Sequence, residues 1–152
     1  MMSPEVRAEY KRFRSLGWPA SDALSGAQVA VRFAEVAFRG EVRIREVPED
    51  EPYDVSYIDT WGLSPGRAER EKKRIFDLIE RDGVWCYVAE VLQEDGSWEV
   101  VDSIGFCVGD DLTAGGYLVE LMRSALNAHC REMKRREEEA DRQEEECWWR
   151  LP

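Results

Sequence analysis

Apolar positions recur along the chain with two periods, and the switches between them mark most of its elements. Ser3-Pro4 has the form of an N-cap followed by a first helical residue, and Gly17 sits just past the last one. This pattern predicts a helix over residues 4–16. Trp18-Pro19 makes a stiff corner. A second helix opens at Ala20 or Ser21 and runs through Leu24, Ala27, Gln28, Val31 and Ala34 to end near Gly40, with Gly26 an unfavourable interior residue. Residues 41–47 alternate as a strand does, with Val42 and Ile44 on one face and Arg43 and Arg45 on the other. Prolines and acids at 48–52 interrupt it, and residues 53–57 form a short extended piece before Trp61-Gly62. Ser64-Pro65 and Gly83 then repeat the start and stop signals around a helix over 65–81, whose stripe is Ala68, Ile75, Leu78 and Ile79.

The strongest local signal follows. Residues 84–92 and 98–108 are rich in β-branched and aromatic side chains and flank Glu94-Asp95-Gly96-Ser97, a hairpin pattern. With Asp95 and Gly96 as the two central turn residues, Trp85, Tyr87 and Val91 share a face with Phe106, Ile104 and Val100. Cys86, Val88, Glu90, Glu99, Val101 and Ser103 then occupy the opposite face. Gly115-Gly116 breaks the chain before a last helix, in which Leu118, Leu121, Met122, Ala125, Leu126 and His129 recur at helical spacing. From Arg131 to Glu146 the sequence is almost wholly charged and has no face to bury, as in a solvated extension or a frayed end. The fold expected is α+β: a small antiparallel sheet of residues 41–47, 84–93 and 98–107, covered on its aromatic face by helices. Residues 1–130 form one domain, and 131–152 a charged helical extension with a Trp-rich end.

Composition changes the picture through charge. The 152 residues include 32 Asp and Glu against 21 Lys and Arg, a net charge of -11, which repels phosphate backbones and anionic lipids. Direct nucleic-acid and membrane partners are therefore not expected, and a basic protein surface is. Two short helices around a tight turn raise the idea of a helix-turn-helix reader. Residues 27–37, however, offer only Gln28 and Arg32 for base edges or phosphates. With a charged first segment and no long apolar span, the expected location is the cytoplasm, with reduced thiols.

Chemistry is sparse. Cys86, Cys107, Cys130 and Cys147 form no CxxC pair, and a single histidine cannot complete a zinc site. His129 lies on an apolar stripe and reads as a structural residue, and the cysteines lack a base to activate them. No phosphate-loop or dinucleotide pattern occurs. Glu90, Asp102, Asp110 and Asp111 are conceivable Mg²⁺ ligands, but no lysine or arginine lies between Glu94 and Asp111 to steady a phosphate. No catalytic residue, metal or cofactor is expected, and the chain reads as a non-enzyme.

The acids themselves cluster. Residues 41–59 hold seven against two arginines, and residues 94–111 hold six with no base. Placed beside one another, these runs would rim one edge of the sheet and focus a negative field. The candidate partner-binding residues are Glu49, Asp50, Glu51, Glu94, Asp95, Asp110 and Asp111, with Trp148 and Trp149 as candidate contacts of a homodimer.

Tyr57-Ile58-Asp59-Thr60-Trp61-Gly62, Val84-Trp85-Cys86-Tyr87-Val88-Ala89-Glu90 and Val101-Asp102-Ser103-Ile104-Gly105-Phe106, followed by Gly116-Tyr117, are similar to segments of small uncharacterised proteins of bacteriophages and other mobile elements. The resemblance spans residues 3–128. It implies a mobile-element context, in which small acidic proteins often inhibit host defence, as anti-CRISPR and antirestriction proteins do. Two expectations follow. One is an acidic binding module that inhibits a host nucleic-acid-binding protein by mimicking nucleic acid. The other is a self-associating adaptor built on the C-terminal helix.

Overall fold

The computed structural model describes residues 1–50, 58–114 and 116–150; Glu51 and the extended piece expected at 53–57 lie outside them. Helices α1 (Pro4–Ser15) and α2 (Ala20–Phe38) precede strand β1 (Val42–Pro48). Helix α3 (Pro65–Asp82) leads into the hairpin of β2 (Trp85–Leu92) and β3 (Trp98–Cys107). A one-turn helix α4 (Asp111–Ala114), absent from the sequence reading, comes before α5 (Tyr117–Trp149). The strands form one antiparallel sheet in the order β1-β2-β3.

The end signals work as the sequence implies. The Ser3 hydroxyl accepts the Val6 N–H at 3.3 Å, and the Ser64 hydroxyl accepts the Arg67 N–H at 3.4 Å. Gly26 has a packing reason to interrupt α2. A Cβ there would lie 3.2 Å from the Trp18 ring and 3.4 Å from that of Phe13, two rings that pack 4.6 Å apart beneath it. The corner tryptophan thus seats in a space that a Cβ at position 26 would crowd, closing a small core of Phe13, Ala23, Ala27 and Val119.

The main core lies between one sheet face and helices α2 and α5. Phe33 and Val36 of α2, Val42, Ala89 and Val91 of the sheet, and Leu121, Ala125 and Ala128 of α5 are all buried in it. Tyr87 and Val91 lie on this face as expected, and Ile104 sits opposite Tyr87. Val100 and Phe106 do not follow the expected register. The Gln93 N–H donates to the Ser97 carbonyl at 2.8 Å, which leaves a three-residue turn, Glu94-Asp95-Gly96, with Gly96 at φ 87°. A bulge between Ala89 and Glu90 then resets the pairing. Val101 therefore packs against the core, while Val100 stands opposite Glu90 and is 53% exposed. A second irregularity sets Cys107, not Phe106, opposite Trp85, and Phe106 takes φ 54°.

Helix α5 is continuous from Tyr117 to Trp149, so the charged residues from 131 on extend the core helix. Arg135 reaches Glu94 at 3.1 Å and Arg136 donates to the Leu92 carbonyl at 3.3 Å, so the hairpin holds the helix as far as Arg136. Every residue from Ala140 to Arg150 is exposed. No described helix is long and apolar enough to cross a membrane.

Candidate partner-binding surface

The sheet face turned away from the core is organised by one buried carboxylate. Glu90 of the central strand is 3% exposed and is gripped by two arginines of β1: Arg43 Nε at 2.5 Å and Arg45 Nη2 at 3.1 Å. Strand register dictates this, because Arg43 stands directly opposite Glu90 and Arg45, opposite Val88, is its diagonal neighbour on the same face. The Arg43 guanidinium also stacks 4.0 Å from the Trp98 ring centroid. Burial would raise the Glu90 carboxyl, but hydrogen bonds and charge from Arg45 and Arg43 outweigh it and hold it below the usual carboxylate range.

The acids predicted to form one rim fall at two ends of the sheet. Glu49 follows β1 and its N–H donates to the Val84 carbonyl, so Glu49 and Asp50 lie where β2 begins. Asp110 and Asp111 follow β3 at this same end, because Cys107 sits opposite Trp85. Glu94 and Asp95 form the hairpin turn at the other end, beyond the eight residues of β2, roughly 26 Å away at about 3.3 Å per residue. Several are already engaged. Asp111 accepts the Val108 N–H, Asp95 accepts both the N–H and hydroxyl of Ser97, and Glu94 pairs with Arg135. Across a cleft from Asp110, Arg74 of α3 feels the charge of Asp110 and Asp111.

The residues weighed for chemistry do not converge either. Asp102 faces α5, where it accepts the Ser124 hydroxyl at 2.6 Å, whereas Glu90 points to the opposite face. Among the described residues no three His, Cys, Asp or Glu side chains form a metal-binding group. His129 is buried with its Nε2 3.2 Å from Glu41 Oε2, a contact joining α5 to the start of β1. Burial, with Asp111 and Cys86 nearby, pushes the Cys107 thiol up to about 11, so it stays protonated and a poor nucleophile near neutrality.

The free end of α5, expected from the sequence as a solvated or frayed extension and as the element of a self-associating adaptor, is helical and exposed. Glu137, Glu138, Glu139, Asp141, Glu144, Glu145 and Glu146 give seven carboxylates in ten residues, with Arg142 the only base among them. Ten helical residues span about 15 Å, so the arm carries roughly one carboxylate per 2 Å of axis and, with Arg142 subtracted, one net negative charge per about 2.5 Å. Duplex DNA carries one charge per about 1.7 Å. Glu94 and Asp95 lie at the base of this arm and extend its field onto the body. No family model, curated protein or solved structure matches the chain.

Trp148 and Trp149 end the arm, 69% and 88% exposed. Their aromatic area has nothing to cover it on the described chain, which suits an anchor in an interface. The sequence carries the signal: a carboxylate run that begins about two turns after a buried apolar stripe, on a helix with no glycine or proline to stop it.

The root of the arm carries a pH dependence. Arg135 and Arg136 bond Glu132 and hold its carboxyl at about 2, against an ordinary 4.5. A depressed carboxyl stabilises the folded state above its unfolded value and loses that contribution as pH falls through the folded one. Acidification from about 4.5 to 2 is expected to release Arg136 from Leu92. Amide protection factors over residues 132–136, which remove the pH dependence of intrinsic exchange, should fall in that window, and Glu132→Gln should show the lowered protection already at pH 7.

Proposed function

We propose that this protein is a binding module that presents a dense acidic arm to a basic protein surface of the kind that otherwise holds nucleic acid. The observation that carries this reading is the row of seven carboxylates in residues 137–146, a net negative charge per about 2.5 Å of axis against one per about 1.7 Å in a duplex, on a helix whose residues 140–150 are all exposed. The acidic hairpin turn at Glu94 and Asp95 widens the same field. In the mobile-element setting that the sequence resemblance implies, such a module acts as an inhibitor, occupying the nucleic-acid site of a host defence protein. Exposed ion pairs add little affinity each, so binding draws on the whole array and on the tryptophans at its tip.

A pulldown at rising salt tests the reading. Captured partners should be nucleic-acid-binding proteins that elute as salt screens the contacts. E137K/D141K/E144K/E145K should capture them at least about tenfold less well, since three or four lost contacts of a few tenths of a kcal/mol each become repulsions. Undiminished capture by that variant contradicts the proposal. A second reading, self-association through the same helix, is favoured by one observation, the exposure of Trp148 and Trp149 side by side at its end.

A further inference from the structure

Two helical stripes of opposite charge stand without ion-pair partners among the described residues. On α1 they are Arg7, Lys11 and Arg14, all exposed; Arg14 makes one hydrogen bond, to the Trp18 carbonyl at 2.6 Å. On the arm they are Glu137, Asp141 and Glu144, also exposed. The other acids there are mostly tied down: Glu138 to Lys134, Glu139 to Arg142 and Glu146 to Arg150. Both free sets have the spacing i, i+4, i+7, so each occupies one face of its helix.

The two stripes share a register. A constant offset of 130 residues sets Glu137 against Arg7, Asp141 against Lys11 and Glu144 against Arg14. The same offset carries Trp148, on the arm's acidic face, to position 18, just past the end of α1. There a groove of about 630 Å³ opens, lined by Leu16, Trp18, Pro19 and Tyr117 among others, with Asp22 and Arg123 on its walls. Leu16 and Tyr117 are about half exposed, so the groove presents apolar surface to solvent.

An arm cannot fill its own groove. Tyr117 and Trp148 belong to one unbroken helix, 31 residues and about 46 Å apart. The occupant must come from another molecule. We infer that it is a second copy of this chain, whose arm lies parallel to α1 with Glu137, Asp141 and Glu144 on Arg7, Lys11 and Arg14, and Trp148 in the groove. Each copy offers one arm and one α1, so the contact made twice closes a two-fold dimer. The inference rests on the arm being the docking element proposed above, and its occupant is what it adds: the dimer masks the stripe a basic partner would need.

Sedimentation velocity on the full chain tests it. The wild type should be dimeric at low salt and dissociate as salt is raised. R7E/K11E/R14E, and separately E137K/D141K/E144K, should each weaken the dimer about tenfold or more. An equimolar mixture of the two should restore it, because every stripe then meets its opposite. Trp148→Ala should weaken it without changing its salt dependence, and K11E and D141K serve as milder partners if a triple variant loses its circular dichroism. A wild type monomeric at low salt, a dimer that survives either reversal, or a mixture that stays monomeric overturns the inference. R7E/K11E/R14E leaves the arm intact and should still capture basic partners, so loss of the dimer and loss of the binding function are read separately.

Discussion

Replacing Arg43 and Arg45 together by methionine should destabilise the protein by about 3 kcal/mol at pH 7, the usual scale for removing the partners of a buried charge. Glu90 would keep its position in the central strand, 5% exposed at its side chain, and lose both guanidiniums that now bond it. Trp98 would lose the stacked cation as well. The pH dependence separates this from lost packing. In the wild type the Glu90 carboxyl is held below its ordinary 4.5, so its stabilising contribution is present above 4.5 and is lost on acidification. In the variant only burial acts, the folded value rises above the unfolded one, and stability falls as pH rises through that range. The two stability curves should therefore converge on acidification. Adding Glu90→Met to the double variant should recover most of the loss, because an apolar group needs no donors there. A triple variant no more stable than the double would show that the arginines act by some other route.

Phe33→Ala should cost about 3–5 kcal/mol, a large share of the roughly 5–15 kcal/mol that holds a domain together. Phe33 is the one aromatic ring among the buried residues where α2, the sheet and α5 meet, and it packs among Val36, Val42, Ala89, Val91, Leu121 and Ala125. Valines and alanines on either side cannot collapse into the space, since their backbones are fixed by strand pairing and by two helices. Urea unfolding monitored by circular dichroism reads the change. A cost under about 1 kcal/mol would mean that the ring does not bridge the layers.

Much of this architecture was legible in the chain, for reasons particular residues make plain. Ser3-Pro4, Ser64-Pro65, Gly17 and Gly83 act locally, through caps and backbone freedom, and they bound helices where expected. The alternation of β1 placed Val42 and Ile44 on the core face and Arg43 and Arg45 on the other, and β1 lies beside β2. The fates of Val100 and Phe106 are hidden because two separate irregularities, at Ala89/Glu90 and at Trp85/Tyr87, each shift the pairing by one residue and carry no letter of their own. Gly26 looked like a defect in α2 until the ring of Trp18 was seen to need its space.

The candidate surface was less legible, because net acidity does not specify direction. Counting acids in 41–59 and 94–111 joined residues that the strands hold at opposite ends, and Glu49 is some 26 Å along the sheet from Glu94. Several of those carboxylates serve turns or arginines of their own chain. The charged run after Arg136 reads as solvated because it has no apolar face, yet a helix that continues for three turns past its last anchor at Arg136 displays its charges at fixed spacing.

The most direct measurement is competition between this protein and a fluorescent DNA duplex for a captured partner, followed by anisotropy. The wild type should displace the duplex, with a potency that falls as salt rises. Neutralising the arm as E137Q/D141Q/E144Q/E145Q should weaken displacement by about tenfold or more while leaving the thermal unfolding of the body unchanged. Displacement by the neutralised arm equal to that of the wild type would contradict the account.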